Sequence, residues 1–217
     1  MFTLESFQTQ YETTTSELVI RGRSFRFFVP KDLESFVDSE DIFRDFPLWA
    51  KIWEASFVLA EYLSGLDVEP EKRFLEMGCG LGVVGIVASS FGHKVTMTEY
   101  NQDALSFARA NALLNNSLNL EIKELDWSEP QIQGSFDTIL GSEIIYKESD
   151  FQPILHLFKT YLKEGGEIII AEGIRKTSMA FMSQMSDSFS IKAHKKILRS
   201  KSEEITVMLC RMKFKKP

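Results

Sequence analysis

The chain of 217 residues predicts an α/β fold with a mostly parallel sheet and one antiparallel edge. Three observations carry that expectation. Apolar runs of strand length alternate with helical patterns through five strands. A glycine-rich turn joins the first of those strands to the helix behind it. Near the end, two strand-like runs follow one another with no helix between them.

Residues 13–30 read as a β-hairpin, with arms at Glu17 to Ile20 and Phe25 to Val29, a turn around Gly22 and a stop at Pro30. Residues 31–46 carry Asp32, Glu34, Asp38, Glu40, Asp41 and Asp45, the pattern of a solvated surface segment. A helix is expected after Pro47, with Trp49, Ile52, Trp53, Phe57 and Ala60 at helical spacing on its core side. Phe74 to Met77 is a buried strand that carries one acid, Glu76. Gly78, Gly80 and Gly82 follow at alternate positions, and a helix of small apolar residues runs on to Gly92. Glycine is needed where the backbone takes positive φ or where a ligand comes close. The helix that starts here points its free N–H groups at whatever lies above the turn.

His93 to Glu99 is a second strand ending in an acid. Asn101 caps the next helix, which turns Ala104, Leu105, Ala108 and Ala112 inward and ends at Asn115-Asn116. Leu120 to Leu125 is a third strand, closed by Asp126-Trp127, and Phe136 to Leu140 a fourth, running into Gly141 to Tyr146. Ser149 or Asp150 caps a helix that buries Phe151, Ile154, Leu155, Phe158 and Leu162 and stops at Gly165-Gly166. Glu167 to Ala171 is the fifth strand. A helix over Thr177 to Asp187 carries Met179, Met182 and Met185, which read as gap-filling core. Phe189 to Leu198 and Glu203 to Arg211 form the closing pair of strands, and Lys213 to Pro217 a frayed basic tail.

Composition bounds the function. Hydrophobic content of 44% and charged content of 26% are ordinary for a soluble globular protein. One domain over residues 1–217 is expected, with 1–46 as hairpin and acidic segment and 47–217 as the core. No apolar run reaches the roughly 20 residues of a membrane span, and the N-terminus lacks a signal-peptide pattern. Two cysteines, Cys79 and Cys210, are too few for a disulfide framework, which suits a reducing cytoplasm. A net charge of −6 argues against broad phosphate-backbone binding, so no nucleic-acid partner is expected.

The glycine turn fits two chemistries. Gly80, Gly82 and Gly85 match G-x-G-x-x-G, the dinucleotide fingerprint. Glu76, Gly78, Gly80 and Gly82 match E-x-G-x-G-x-G, which resembles motif I of the S-adenosylmethionine-dependent methyltransferases. Glu99 lies about 20 residues beyond the glycines, where a carboxylate accepts hydrogen bonds from both ribose hydroxyls. The closing pair of strands separates the two. A dinucleotide oxidoreductase continues the parallel repeat or appends a substrate domain, whereas the class I methyltransferase fold ends in such a hairpin.

Five features narrow the resemblance: the early hairpin, Pro47-Leu-Trp-Ala-Lys-Ile-Trp53, Glu76 to Gly82, Asp126-Trp127, and Ser142-Glu-Ile-Ile-Tyr146. Over roughly residues 15–175 the chain resembles the methyltransferase-16 family of seven-β-strand enzymes, which includes lysine methyltransferases acting on folded proteins. Trp49 and Trp53 resemble the branch that modifies the β subunit of electron-transfer flavoprotein. The resemblance implies a Rossmann-like three-layer sandwich with a seven-stranded, mostly parallel sheet, an antiparallel last strand, and an N-terminal β-hairpin and helix. It implies S-adenosyl-L-methionine as cofactor, S-adenosyl-L-homocysteine as product, no metal, and a lysine of a protein as acceptor.

The resemblance also implies residue roles. Gly78, Gly80 and Gly82 let the backbone approach the amino-acid end of the cofactor, and Glu76 reaches its ammonium directly or through water. Glu99 binds the ribose, Asp126 faces the adenine amino group, and Trp127 stacks or packs against the ring. Ser142 lines the cofactor and Trp53 covers it from the N-terminal helix. Glu143 and Tyr146 fall to catalysis, the first orienting the incoming ammonium, the second giving an aromatic wall or a hydroxyl partner. The family usually carries Asp-x-x-Tyr where this chain has Glu143 to Tyr146, so the charge is kept and the reach grows by one methylene.

The reaction that the resemblance implies is an in-line displacement at a sulfonium methyl, whose leaving group is neutral. The enzyme must align the nucleophile and keep it unprotonated, and a lysine amine has a solution pKa of about 10.4. The Asn/Asp-Pro-Pro-Tyr/Phe motif of nucleobase amine methyltransferases is missing from residues 143–146. A small-molecule amine acceptor and a non-catalytic cofactor-binding module stay open.

Overall fold

The computed structural model describes residues 2–37, 46–199 and 204–215. The chain opens on a helix that its sequence pattern is too short to announce, α1 (Leu4–Gln10). Thr3 caps it by accepting the Ser6 amide at 3.1 Å, and buried Phe7 pins it down. The hairpin follows as β1 (Thr13–Ile20) and β2 (Arg23–Pro30), antiparallel throughout. Arg21 and Gly22 both take positive φ, 47° and 78°, the two-residue turn that matches strand twist. Beyond a short 3-10 turn at Glu34–Phe36, the acidic segment continues into residues 38–45, outside the described residues.

The helix expected to run on from Pro47 is divided. Leu48–Ala50 is a single 3-10 turn, Lys51 and Trp53 are extended, and α2 begins only at Glu54 (Glu54–Leu63). The reason is the Trp53 indole, which turns back and donates Nε1–H to the Leu48 carbonyl at 2.7 Å. Trp53 is therefore the residue before α2, not part of it.

The main sheet takes β3 (Arg73–Met77), β4 (Lys94–Glu99), β5 (Glu121–Glu124), β6 (Phe136–Ser142), β7 (Leu162–Gly173), β8 (Phe189–Arg199) and β9 (Glu204–Phe214). Its order is β5-β4-β3-β6-β7-β9-β8. Pairings from β5 to β7 are parallel, and β9 runs antiparallel to both β7 and β8. The expected mostly parallel sheet with an antiparallel last strand is thus present. α3 (Val83–Ser90) and α4 (Gln102–Leu114) join α2 and the hairpin on one face; α5 (Phe151–Tyr161) and α6 (Lys176–Met185) cover the other. Asn101 caps α4 as expected, accepting the Ala104 amide at 2.9 Å.

Asn111 on α4 ties the hairpin to the sheet. Fully buried, it accepts the Phe28 amide at 2.7 Å and donates to the Phe28 and Leu81 carbonyls at 3.2 and 2.9 Å. Two segments of chain are thereby fixed by one amide group, one on β2 and one in the glycine turn.

Four further expectations need correcting. α5 ends at Tyr161, and Gly165-Gly166 lie within β7: the strand pairs first through Leu162 with Phe136, then resumes at Glu167 opposite Thr138, and the glycines bulge between. Neither Ser149 nor Asp150 caps α5 with its side chain, and the chain enters it through a 3-10 turn at Glu148–Asp150. Met182 and Met185 are core, but Met179 is 51% exposed, since the buried side of α6 is set by Ser178 and Phe181. Lys213 and Phe214 belong to β9, where Phe214 stacks on Phe189 at 4.9 Å between ring centres.

β8 is one of the two edge strands of the main sheet. Lys192, Lys195 and Lys196 are exposed along it and form no ion pair among the described residues. Among the described residues no helix is long and apolar enough to cross a membrane.

Candidate active site

β3 leaves the sheet at Met77 and turns through Gly78, Gly80 and Gly82 at φ 59°, 50° and 82°. A Cβ on Gly78 would stand 3.2 Å from Ile144 and 3.3 Å from the Trp127 ring. One on Gly80 would meet the Trp49 carbonyl at 3.2 Å. The turn is therefore pressed from both sides and positive in φ, so that only glycine suits it. Gly82 precedes α3 without a side-chain cap.

Above this turn, beyond the carboxyl ends of the parallel strands, lies a cavity of about 400 Å³. Open α/β sheets bind ligands in this place. Nine of the eleven residues expected at the site line it: Trp53, Gly78, Gly80, Glu99, Asp126, Trp127, Ser142, Glu143 and Tyr146. Glu76 and Gly82 stand behind it. Glu76 is 2% exposed, and its Oε2 has no hydrogen-bond partner among the described residues. Burial pushes its carboxyl up to about 8, against the opposing pull of the Gly85 amide.

The acids on the cavity wall are held by backbone. Glu99 accepts the Gly80 amide through Oε2 at 3.0 Å, and the Tyr100 and Asn101 amides through Oε1 at 2.8 and 3.1 Å. Asp126 accepts the Ser128 hydroxyl and amide through Oδ1 at 2.7 and 2.8 Å, bonds that hold its carboxyl below the usual range. Ser142, at the end of β6, shares a hydrogen bond of 2.9 Å with Ser56 of α2. Lys51 sits at the same wall with its Nζ 4.6 Å from the Trp53 ring centre.

Glu143 takes φ 49°, a left-handed conformation that few side chains adopt. Its amide donates to the Ala171 carbonyl at 3.0 Å, and its Oε1 accepts the Gly173 amide at 2.8 Å. The Arg175 guanidinium pairs with Glu143 and also with Glu172, the latter at 2.7 Å, and lies 5.1 Å from the Tyr146 ring centre. Burial, then the charge of Glu143, pushes the Glu172 carboxyl up, and the same two causes raise the Tyr146 hydroxyl well above its usual range.

Glu172, Arg175 and Ser56 belong to this site but to no motif, and Lys51, inside Pro47 to Trp53, was given no role by the sequence. A signal was there for two of them. Glu172 and Arg175 follow the fifth apolar strand directly, at the carboxyl end where the other site acids arise.

Residues 45–188 match a family model described as lysine methyltransferase. The protein N-lysine methyltransferase METTL21A of Danio rerio is 33% identical over 152 residues, covering 65% of this chain and 69% of the relative. Its namesake in Mus musculus is 32% identical over 157 residues, covering 68% and 72%. The precorrin-6y C5,15-methyltransferase of Geobacter metallireducens shares the fold at a TM-score of 0.60 and 14% identity, over 84% of this chain and 95% of that one. The chain belongs to the lysine methyltransferase family, whose methyl donor is S-adenosylmethionine.

Proposed function

We propose that this chain N-methylates a lysine side chain of a protein, acting as one domain in the cytoplasm. The observation that carries the reading is that Glu143 and the glycine turn open onto one cavity. Its 400 Å³ falls in the range of small-molecule sites. The donor set also suits the cofactor. The Val83 and Val84 amides at the start of α3 have no side-chain cap and suit an anionic end, and carboxylates at Glu99 and Asp126 accept from hydroxyl and amino groups. Trp127 offers a flat apolar wall, and Trp53 a second from the start of α2. Glu76, buried behind the turn and outside the cavity lining, reaches the cofactor ammonium only through backbone or water.

S-adenosylmethionine supplies a methyl group on a sulfonium with a neutral leaving group. The chain's own task is to bring in a lysine ammonium, align it and let its proton leave to water. Glu143 provides the negative end that orients the ammonium. Burial and the charge of Glu143 raise the Tyr146 hydroxyl, which favours a role as aromatic wall or hydrogen-bond partner over one as base.

Incubating the protein with methyl-labelled S-adenosylmethionine and a cell lysate tests the reading. Label in protein bands, mapped to lysine by mass spectrometry, is the expected result. Label confined to the small-molecule fraction overturns the protein acceptor, and none at all overturns methyl transfer.

A further inference from the structure

The wall from Glu143 to Tyr146 has no regular secondary structure, yet it holds a carboxylate and a tyrosine at the cavity. Its shape is imposed from the neighbouring strand. Glu172, near the end of β7 and 0% exposed, accepts two successive amides on one oxygen: Ile144 N at 2.7 Å and Ile145 N at 3.1 Å. Two consecutive N–H groups converge on one atom only when the backbone curls around it, and the left-handed φ of Glu143 makes that curl.

The other oxygen of Glu172 takes the Arg175 guanidinium at 2.7 Å, and the same guanidinium pairs with Glu143. Arg175 is anchored in turn. Its amide donates to Ser178 Oγ at 2.9 Å, and that hydroxyl donates to the Gly173 carbonyl at 2.8 Å. A fully buried carboxylate is costly to keep, and an apolar residue of similar volume would fill the place at less cost. Here the carboxylate supplies what such a residue lacks, an acceptor for the loop and a partner for Arg175.

We propose that Glu172 is a positioning residue for methyl transfer: it fixes the Glu143–Tyr146 loop and, through Arg175, the direction of the Glu143 carboxylate. The inference rests on reading this cavity as the site of methyl transfer. Glu172 touches neither the cavity nor the reacting atoms. It acts through Ile144, Ile145 and Arg175.

Two variants separate the parts. Glu172→Gln keeps an oxygen for the two amides and removes the charge that holds Arg175; Glu172→Leu removes both. Three readouts follow each: deuterium exchange at the Ile144 and Ile145 amides, calorimetric affinity for S-adenosylhomocysteine, and initial rate of label transfer to lysate proteins. In Glu172→Leu, exchange is expected to speed up and transfer to fall by about tenfold or more, with cofactor affinity kept within about twofold. Glu172→Gln is expected to restore the slow exchange and part of the transfer. Wild-type transfer in Glu172→Leu overturns the inference, as does a loss of cofactor affinity equal to the loss of transfer. Should Glu172→Leu fail to fold, a Glu172→Gln variant with unchanged exchange and unchanged transfer overturns the role through Arg175. A wild-type protein that binds S-adenosylhomocysteine but transfers no label sinks the reading of the site instead, while the exchange data still decide whether Glu172 holds the loop.

Discussion

The Gly80 amide donates to Glu99 Oε2 at 3.0 Å, which joins the turn after β3 to the end of β4. The remaining oxygen of Glu99 takes two further amides, so this one carboxylate organises the mouth of the cavity. Glu99→Ala is expected to weaken S-adenosylmethionine binding by about tenfold or more, since each hydrogen bond to a charged group contributes about 1.5–3 kcal/mol. Calorimetric titration reads this directly. Unchanged affinity removes Glu99 from ribose binding.

Glu143 should behave in the opposite way. Its carboxylate pairs with Arg175 and the Gly173 amide and reaches no residue of the glycine turn. Glu143→Ala is expected to lower transfer by about a hundredfold while cofactor affinity stays within about twofold. Label transfer and calorimetry on the same preparation check both halves.

Asn111 carries a stability prediction. Replacing it with Ala leaves the Phe28 amide, the Phe28 carbonyl and the Leu81 carbonyl without their buried partner. With each abandoned polar group costing about 1–3 kcal/mol, partly recovered by water, a loss of about 2–4 kcal/mol is expected in urea unfolding. A loss below about 0.5 kcal/mol would mean that the hairpin is held by its apolar face alone.

Glu76 links stability to pH. Its carboxyl is raised to about 8 in the folded chain by burial, against an ordinary value near 4.5 when unfolded. The folded state therefore keeps a proton that the unfolded state releases. Stability from this group is fully present below pH 4.5, declines as pH rises, and is lost by about pH 8. Glu76→Gln is expected to flatten that decline by on the order of a few kcal/mol. Denaturant unfolding at several pH values from 5 to 8 checks it; equal slopes for both proteins would show Glu76 ionised in the folded chain.

The sheet and the glycine turn were legible because their signals are local. Alternation of apolar strands and helices gave β3 to β7 in order, and Asn101 gave the start of α4. What misled was local pattern overruled by a tertiary bond. Trp49 and Trp53 stand at helical spacing, yet the Trp53 indole bonds the Leu48 carbonyl and divides the helix. Gly165-Gly166 looks like a helix stop but is a bulge, because Leu162 already pairs with β6. α1 escaped notice because seven residues offer too few turns for a period to be read. At the site, motif residues were found and their supports were not. Glu172 belongs to no motif, and its partners Ile144 and Ile145 lie 28 and 27 positions away along the chain.

The lysines along β8 bear on what the molecule does in company. An outermost strand of 11 residues offers a ladder of main-chain groups to any strand that approaches. A second copy pairing with it edge to edge would set the basic stretch 192–196 beside the same stretch of its partner. Like charges so close repel over a Debye length of about 8 Å in physiological salt and only about 3 Å at 1 M. The guard on this edge is thus ionic, and concentrated salt lowers it.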